Sequence, residues 1–444
     1  MEYVVMIGQL MLSLSILIVL HELGHFVPAR LFNTRVEKFY LFFDAWFPLF
    51  KYKYGETEYG IGWLPLGGYV KIAGMIDESL DTESLQQEPQ PWEFRSKPAW
   101  QRLIIMLGGV TVNFILGFFI FAMVLFVYGE EYLPAQNAEY GIHADSLGQT
   151  IGLQSGDKIV SINNKPFEKF EARMMLGEII FNDAKEYQVE RNGRVQTIPV
   201  PATAIGELSS KKNKGFFLFR PRLPFVVAEV PEDAEQSPGR RAGLKEGDKI
   251  LALDGIPTPF YDNFTDLAKE RKGQQVKLTY LRNERDTMQA SLTLTENGKL
   301  GVYSYDFPYF FDTERQEYSL LSALPAGTKK GINFLANQIK AFASIFQGKI
   351  SASDSLGGFK SIGGMFGTEW IWERFWTMTA ILSLILAFMN LLPIPALDGG
   401  HVVFLLYEMV TGQKPSDKFL EYATIVGFII VLSLVLFANI NDFL

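Results

Sequence analysis

Residues 4–27 read VVMIGQLMLSLSILIVLHELGHFV, an apolar run that ends with the motif HELGH at residues 21–25. The run exceeds the ~20 residues that an α-helix needs to cross a bilayer. On a helix, His21 and His25 lie on one face, one turn apart, where both imidazoles can bind a single zinc ion. Glu22 between them can act as general base toward a zinc-bound water. Ionisable side chains at the end of such a helix are costly in lipid and indicate a functional site.

A second apolar segment offers a third metal ligand. Residues 390–401 read NLLPIPALDGGH. Catalytic zinc usually takes three protein ligands and keeps one position for water, so Asp398 would complete the set with His21 and His25. His401 is the alternative because it lies three residues after Asp398, on the same helix face. A chance HExxH match in a helix is the other reading, but the membrane context and the second segment favour a metalloprotease that works inside the bilayer.

The composition predicts a multi-pass α-helical membrane protein with more than one domain. The chain has 444 residues and a mean hydropathy of +0.10, and its apolar residues are concentrated in blocks. Four blocks have roughly the ~20 residues of a membrane span: residues 4–27, 103–128, 375–392 and 422–443. The first is too long for a cleavable signal peptide and carries the predicted ligands.

Charge and cysteine content exclude some functions and predict an orientation. A net charge of −8 argues against a nucleic-acid partner. The absence of cysteine excludes disulfides and thiolate metal ligands. Positive side chains cluster at the ligand-bearing ends of the spans, which the positive-inside rule places in the cytoplasm. These side chains are Arg30, Arg35, Lys38, Arg95, Lys97, Arg102, Lys414 and Lys418.

The segment between the second and third spans contains an internal repeat. Residues 152–164 read GLQSGDKIVSINN and residues 243–255 read GLKEGDKILALDG, an offset of 91 residues (243 minus 152). Each copy reads as a turn that leads into an alternating strand, as in a small β domain. We therefore predict two tandem soluble α+β domains at 129–220 and 221–306. They separate a membrane region at 1–128 from a connector at 307–374 and a second membrane region at 375–444.

Two connecting segments have open interpretations. Residues 55–74, GETEYGIGWLPLGGYVKIAG, alternate apolar residues with turn glycines and predict a β-hairpin. This hairpin either dips into the bilayer, with its edges buried by protein, or lies on the surface. Residues 320–346 predict an amphipathic helix that lies along the membrane or packs on the soluble domains. Residues 77–91 are acidic and predict a loop.

These motifs, in this order, resemble the site-2 protease family of intramembrane zinc metalloproteases, whose repeated soluble domains are similar to PDZ modules. The resemblance implies four transmembrane helices, a membrane-associated β-hairpin and two tandem PDZ-like domains. It also implies one Zn²⁺ per chain, bound by His21, His25 and Asp398, with Glu22 as the catalytic base. The implied substrate-binding residues are Asn390, Pro393, Pro395, Gly67, Gly68 and Asn113. Gly109-Val110 and Gly358-Phe359 stand where the family more often has Gly-Pro.

The resemblance further implies substrates and a location. The family cuts single-span membrane proteins, namely anti-sigma factors after a first protease has removed their outer domain, and it clears remnant signal peptides. The expected location, in contact with membrane lipid, is the bacterial cytoplasmic (inner) membrane, with the PDZ-like domains outside and the active site toward the cytoplasm. We favour size exclusion over peptide binding as the role of the PDZ-like pair. The alternative function is a catalytically inactive PDZ membrane scaffold, which would have no need of Glu22 or Asp398.

Overall fold

The computed structural model describes residues 2–65, 67–75, 88–210, 217–231, 237–351, 353 and 356–442. Most of the predicted acidic loop at 77–91 lies outside the described residues. The chain forms two compact units. The helical unit comprises Met1–Gly129, Glu317–Phe342 and Ser355–Leu444, and the β-rich unit comprises Glu130–Gln316 and Ala343–Asp354.

The helices and strands are numbered here in chain order. The helices are α1 (Glu2–Leu31), α2 (Ala99–Tyr128), α3 (Ser146–Thr150), α4 (Ala172–Asn182), α5 (Ala204–Ser209), α6 (Pro238–Arg241), α7 (Tyr261–Lys269), α8 (Phe307–Phe310), α9 (Leu320–Phe346), α10 (Phe359–Phe366), α11 (Trp372–Asn390), α12 (Asp398–Thr411) and α13 (Asp417–Asn441). The strands are β1 (Val36–Leu41), β2 (Phe43–Tyr54), β3 (Thr57–Leu64), β4 (Tyr69–Ile72), β5 (Glu130–Tyr132), β6 (Ile142–Ala144), β7 (Lys158–Ile162), β8 (Lys165–Pro166), β9 (Glu186–Arg191), β10 (Arg194–Pro199), β11 (Phe219–Pro221), β12 (Val227–Glu229), β13 (Lys249–Leu253), β14 (Ile256–Pro257), β15 (Gln275–Arg282), β16 (Asp286–Thr293), β17 (Tyr303–Ser304) and β18 (Glu314–Gln316).

Among the described residues, three helices are long and apolar enough to cross a membrane. They are Tyr3–Leu31 in α1, Ala99–Tyr128 in α2 and Lys418–Asn441 in α13, and they match the first, second and fourth predicted spans. The predicted third span forms α11, a helix of 19 residues whose first turn contains Glu373 and Arg374. Because α11 is shorter and begins with charged residues, length and composition alone do not identify it as a span.

The two helices α1 and α2 cross with their backbones in direct contact. A Cβ on Gly24 would lie 2.5 Å from the carbonyl oxygen of Gly108, and a Cβ on Gly108 would overlap the carbonyl oxygen of Gly24. Small residues allow membrane helices to approach this closely. The crossing places the histidine-bearing face of α1 against α2.

A four-stranded sheet in the order β2-β3-β1-β4 accompanies these helices. The predicted hairpin strands are present. Strands β2 and β3 pair in antiparallel fashion around Gly55, and β4 follows Gly67 and Gly68. Gly67 has a φ of +149°, which favours glycine. A Cβ on Gly68 would lie 2.5 Å from Ile18 Cγ2 and 3.5 Å from Glu22 Cγ. Glycine at position 68 thus lets the chain that enters β4 pack closely on α1.

The connector helix α9 has a packing partner that neither sequence-based interpretation named. In its first part, a Cβ on Gly327 would overlap the backbone of Ala122, and a Cβ on Gly331 would lie 2.5 Å from the ring of Phe118. Both contacted residues belong to α2. The first part of α9 therefore packs on α2 within the helical unit.

The sequence repeat has a structural counterpart in the β-rich unit. Its two four-stranded sheets have the orders β10-β9-β7-β8 and β16-β15-β13-β14, so equivalent strands occupy equivalent positions. Asp157 binds Arg191 in the first copy, and Asp248 binds Arg282 in the second, with both partners displaced by 91 residues. These hydrogen bonds raise the pKa of each arginine. The repeated ion pair fixes the turn before β7 and β13 in the same way.

Candidate metal centre

The three predicted metal ligands converge in the structure. His21 and His25 lie one turn apart on α1, and Asp398 is the first residue of α12. Asp398 Oδ2 lies 3.3 Å from His21 Nε2 and 3.4 Å from His25 Nε2. The two Nε2 atoms are 3.2 Å apart. Among the described residues, these three side chains form the group of ligand atoms that is close enough to hold one metal ion.

The geometry of this group fits zinc. A tetrahedral zinc ion with ligand bonds of about 2.0–2.1 Å has ligand atoms about 3.3–3.4 Å apart. Asp398 Oδ2 is buried and receives no well-aligned hydrogen bond from any residue that the structure describes. A buried carboxylate oxygen without such a bond is costly unless a cation or another donor satisfies it. A metal ion at the centre of the three atoms provides that satisfaction.

The segment between α11 and α12 explains how Asp398 reaches the histidines. Pro393 and Pro395 lie in this turn, where a proline prevents regular helix. A Cβ on Gly400 would overlap the Cα of Pro395, so glycine is required where α12 folds back over the turn. The far part of α12 is tied to α2 by a partly buried ion pair, with Arg102 Nη2 2.5 Å from Glu408 Oε1. These contacts fix the position of α12 and its first residue.

Both histidines direct their Nδ1 atoms toward α2. His25 Nδ1 lies 2.8 Å from the carbonyl oxygen of Ile105. A carbonyl can only accept, so His25 Nδ1 carries the proton and Nε2 presents its lone pair to the metal position. His21 Nδ1 lies 3.1 Å from the Asn113 side-chain amide, and His21 Nε2 lies 3.2 Å from Asn390 Nδ2. Asn390, the last residue of α11, is therefore next to a ligand atom.

Gly109 lies between these two contacts and faces the ligands directly. A Cβ on Gly109 would overlap His25 Nε2, and it would lie 2.6 Å from His21 Cε1. The residue at this position must therefore be glycine. The sequence drew attention to Gly109 only because Val110 follows it, where the family more often has proline. Its position four residues before Asn113, on one helix face, is a signal that could have identified it.

The catalytic base candidate faces strand β4. Glu22 accepts a hydrogen bond from the backbone N–H of Val70. Ala73 N–H donates to Arg35 O beside β1. Backbone N–H groups alternate in direction along a strand. The N–H groups of Lys71 and Tyr69 therefore also point toward β1, whereas the N–H of Val70 points away from it. The edge of β4 that is turned away from β1 thus faces Glu22.

The remaining predicted residues lie at varying distances from this centre. Gly68 packs against α1 beside Glu22, but Gly67 lies next to the ring of Phe43. His401 lies one turn into α12, outside the group of metal-ligand atoms found in the described part of the chain. Phe359 stands at the second position where the family more often has the proline of a Gly-Pro pair. Its N–H donates to Asn439 Oδ1 at 3.1 Å, a bond that proline could not make.

Metal-dependent peptide hydrolysis needs bound metal and a carboxylate that can accept a proton from water. The residues for both functions meet at the second half of α1, a helix long and apolar enough to cross a membrane, which defines a membrane-bound metalloprotease. The model of peptidase family M50 matches residues 9–434. The chain therefore belongs to peptidase family M50, the site-2 protease family, and it is a zinc metalloprotease.

Similar proteins extend over the whole chain. The chain is 29% identical to the regulator of sigma E protease of Haemophilus influenzae, over 100% of both proteins. It is 28% identical to the regulator of sigma-E protease RseP of Salmonella typhimurium, over 98% of both. It is also 28% identical, over 97% of both, to a Neisseria meningitidis protein named "Putative zinc metalloprotease".

Proposed function

We propose that this metalloprotease hydrolyses peptide bonds within the transmembrane segments of single-span membrane proteins. His21, His25 and Asp398 hold one zinc ion per chain, and Glu22 is the catalytic base. The observation that carries the proposal is the convergence of the three ligand atoms within 3.2–3.4 Å of one another at the second half of a helix long and apolar enough to cross a membrane. In substrates of this kind, the bond to be cut lies within the bilayer, at the level of the proposed site.

The residues of the site divide the chemistry between them. Bound zinc supplies a Lewis acid that polarises the scissile carbonyl and makes water a better nucleophile. Glu22 takes the proton from the attacking water and transfers it to the amide nitrogen of the leaving peptide. The amide of Asn390, next to His21 Nε2, binds backbone groups of the substrate. Pro393 and Pro395 keep this segment out of regular helix, which leaves room for an extended substrate.

A substrate helix must unwind before it is cut, because its carbonyls are held in internal hydrogen bonds. An exposed strand edge can capture an unwound segment by strand addition. The edge of β4 suits this role because it runs beside the catalytic base, with Val70 N–H next to the carboxylate of Glu22. Gly68 supports the role by bringing the start of β4 against α1, and Gly67 supports it through the turn that leads into β4 at a φ of +149°. The substrate would then lie along β4 with its backbone beside the catalytic base.

The proposal includes a fourth membrane span and an orientation. Helix α11 has 19 residues, a length of about 28 Å, close to the ~30 Å thickness of the hydrocarbon core. Its Phe375, Ala380, Leu384 and Ala387 are fully buried, as expected of a helix surrounded by other helices. The charge distribution favours an inner-membrane protein with both ligand-bearing ends toward the cytoplasm. The β-rich unit would then face outward.

The substrates we propose are anti-sigma factors that have lost their outer domain, and remnant signal peptides. The sigma-E regulators among the similar proteins support the first class. We propose that the two repeated domains are PDZ-like and exclude substrates that still carry a bulky outer domain.

Co-expression with tagged single-span membrane proteins tests this function. Wild type should release a shorter tagged fragment, and Glu22→Gln should leave the substrate intact. If neither protein cuts any trimmed substrate while both bind zinc, the inactive PDZ scaffold becomes the better account.

A further inference from the structure

Helix α2 presents three groups to the two histidines at a regular spacing. Ile105 O contacts His25, Gly109 faces both rings, and Asn113 contacts His21. Positions 105, 109 and 113 are each four residues apart, so they lie on one helix face. This face opposes the two histidines of α1 in antiparallel order. The arrangement gives each imidazole one partner on α2 for its Nδ1 atom.

We propose that Asn113 is a positioning residue: its side-chain oxygen accepts the Nδ1–H of His21 and so keeps Nε2 available for the metal. This inference rests on the proposed zinc site and assigns Asn113 a role different from the predicted substrate contact. In neutral imidazole one nitrogen carries the proton and the other accepts. A partner that accepts at Nδ1 therefore selects the tautomer that binds metal through Nε2.

The hydrogen bonding of Asn113 supports this role. Its side chain is fully buried, and its Oδ1 has no partner among the residues that the structure describes. Its Nδ2 faces His21 Nδ1 at 3.1 Å, an orientation that would require the tautomer with its proton on Nε2. The oxygen and nitrogen of an asparagine amide exchange places by a half turn and are assigned from their hydrogen bonds. After the half turn, Oδ1 accepts from His21 Nδ1–H, which favours the tautomer that leaves Nε2 free for the metal.

The surroundings of Asn113 hold it in place. Ser383 Oγ donates to the backbone oxygen of Asn113 at 2.7 Å, and this links α2 to α11. Because Asn390 at the end of α11 contacts the other nitrogen of His21, two amides flank one ring. A residue that is fully buried and contacts a ligand is better placed to orient that ligand than to meet a substrate.

Zinc affinity of the full-length protein in detergent, measured by competition with a chelator, tests the role. Asn113→Leu removes both amide atoms and should weaken zinc binding by about 10–100-fold, the usual effect of losing such a partner. Asn113→Asp keeps an acceptor and should bind zinc close to wild type. Thr379→Val is the matched control, since Thr379 donates to Ser13 in the same bundle without touching a histidine. Its zinc affinity should not change.

The outcomes separate the inference from the zinc assignment. Wild-type affinity in Asn113→Leu, or equal loss in Asn113→Asp and Asn113→Leu, would overturn the acceptor role. His21→Ala is measured in parallel: if it also keeps wild-type affinity, the ligand assignment itself fails. Should Asn113→Leu not fold, the visible spectrum of Co²⁺-loaded Asn113→Asp decides, because a retained ligand set keeps the wild-type spectrum and a changed one contradicts the inference.

Discussion

Gly109 of α2 lies so close to His25 of α1 that a single added Cβ would overlap the imidazole Nε2. The ligand atoms therefore sit directly on the backbone of a neighbouring helix. This contact depends on the crossing of α1 and α2 at Gly24 and Gly108, where the two backbones meet. The metal centre thus requires close helix packing as well as the correct ligands.

The first prediction follows from this contact. Gly109→Ala should reduce zinc content to below about a tenth of wild type and abolish cleavage, because the methyl group displaces both imidazoles. Metal analysis of the purified protein measures the loss. Gly8→Ala is the matched control, since a Cβ on Gly8 in α1 would meet no atom of the described chain within 4 Å. Full zinc content in Gly109→Ala would show that the helices do not pack this way.

The second prediction concerns the third ligand. Alanine at His21, His25 or Asp398 should lower zinc content and activity together, since each removes one of the three proposed protein ligands. Alanine at His401 should leave zinc content near wild type. Normal zinc in Asp398→Ala together with zinc loss in His401→Ala would transfer the third ligand to His401.

The third prediction concerns the β-rich unit. Replacing residues 130–316 with a short linker removes the paired strands β5 and β18 together and takes away no proposed ligand. Zinc content should therefore be preserved. Under size exclusion, the shortened enzyme should also cut substrates that keep their outer domain, as a gel of tagged fragments would reveal. Loss of cutting of trimmed substrates would instead indicate that the unit presents substrate.

The fourth prediction tests strand capture. Val70→Pro removes the backbone N–H that faces Glu22 and should reduce cleavage several-fold without loss of zinc, since proline is tolerated on edge strands. A substrate with helix-breaking residues at its cut site needs less unwinding and should be less sensitive. The ratio of cleavage rates for the two substrates is the measurement. Equal sensitivity of both substrates would leave β4 with only a structural role.

How well the sequence predicts each residue of this site depends on whether its partners are close to it in the chain. His21, Glu22 and His25 could be assigned because the spacing that brings them together is local to one helix. Asp398 comes from a distant helix, so the sequence predicted it only from the usual number of zinc ligands and left His401 as an alternative. The contacts of Ile105 O and Val70 N–H could not be read from sequence, since backbone groups carry no signature and their partners depend on packing.

In the fold, too, features with a local sequence pattern could be predicted, whereas their packing partners could not. The repeat at Gly152 and Gly243 predicted two similar modules, and the strand orders agree because equivalent residues form equivalent hydrogen bonds. Helix α9 was harder to place. Its amphipathic pattern indicates a buried face, but it does not indicate that the partner of Gly327 is α2 and not a lipid surface or a soluble domain.

The central claim is that Glu22 activates water for cleavage inside a transmembrane segment. The most direct test reconstitutes wild type and Glu22→Gln in vesicles with a trimmed single-span substrate and maps the products by mass spectrometry, with zinc content measured on the same samples. We expect wild type to cut within the hydrophobic segment. Glu22→Gln should keep its zinc but turn over at least about 100-fold more slowly, because the amide cannot take the proton. A wild-type cut outside the hydrophobic segment, or near-normal turnover by Glu22→Gln, would contradict the account.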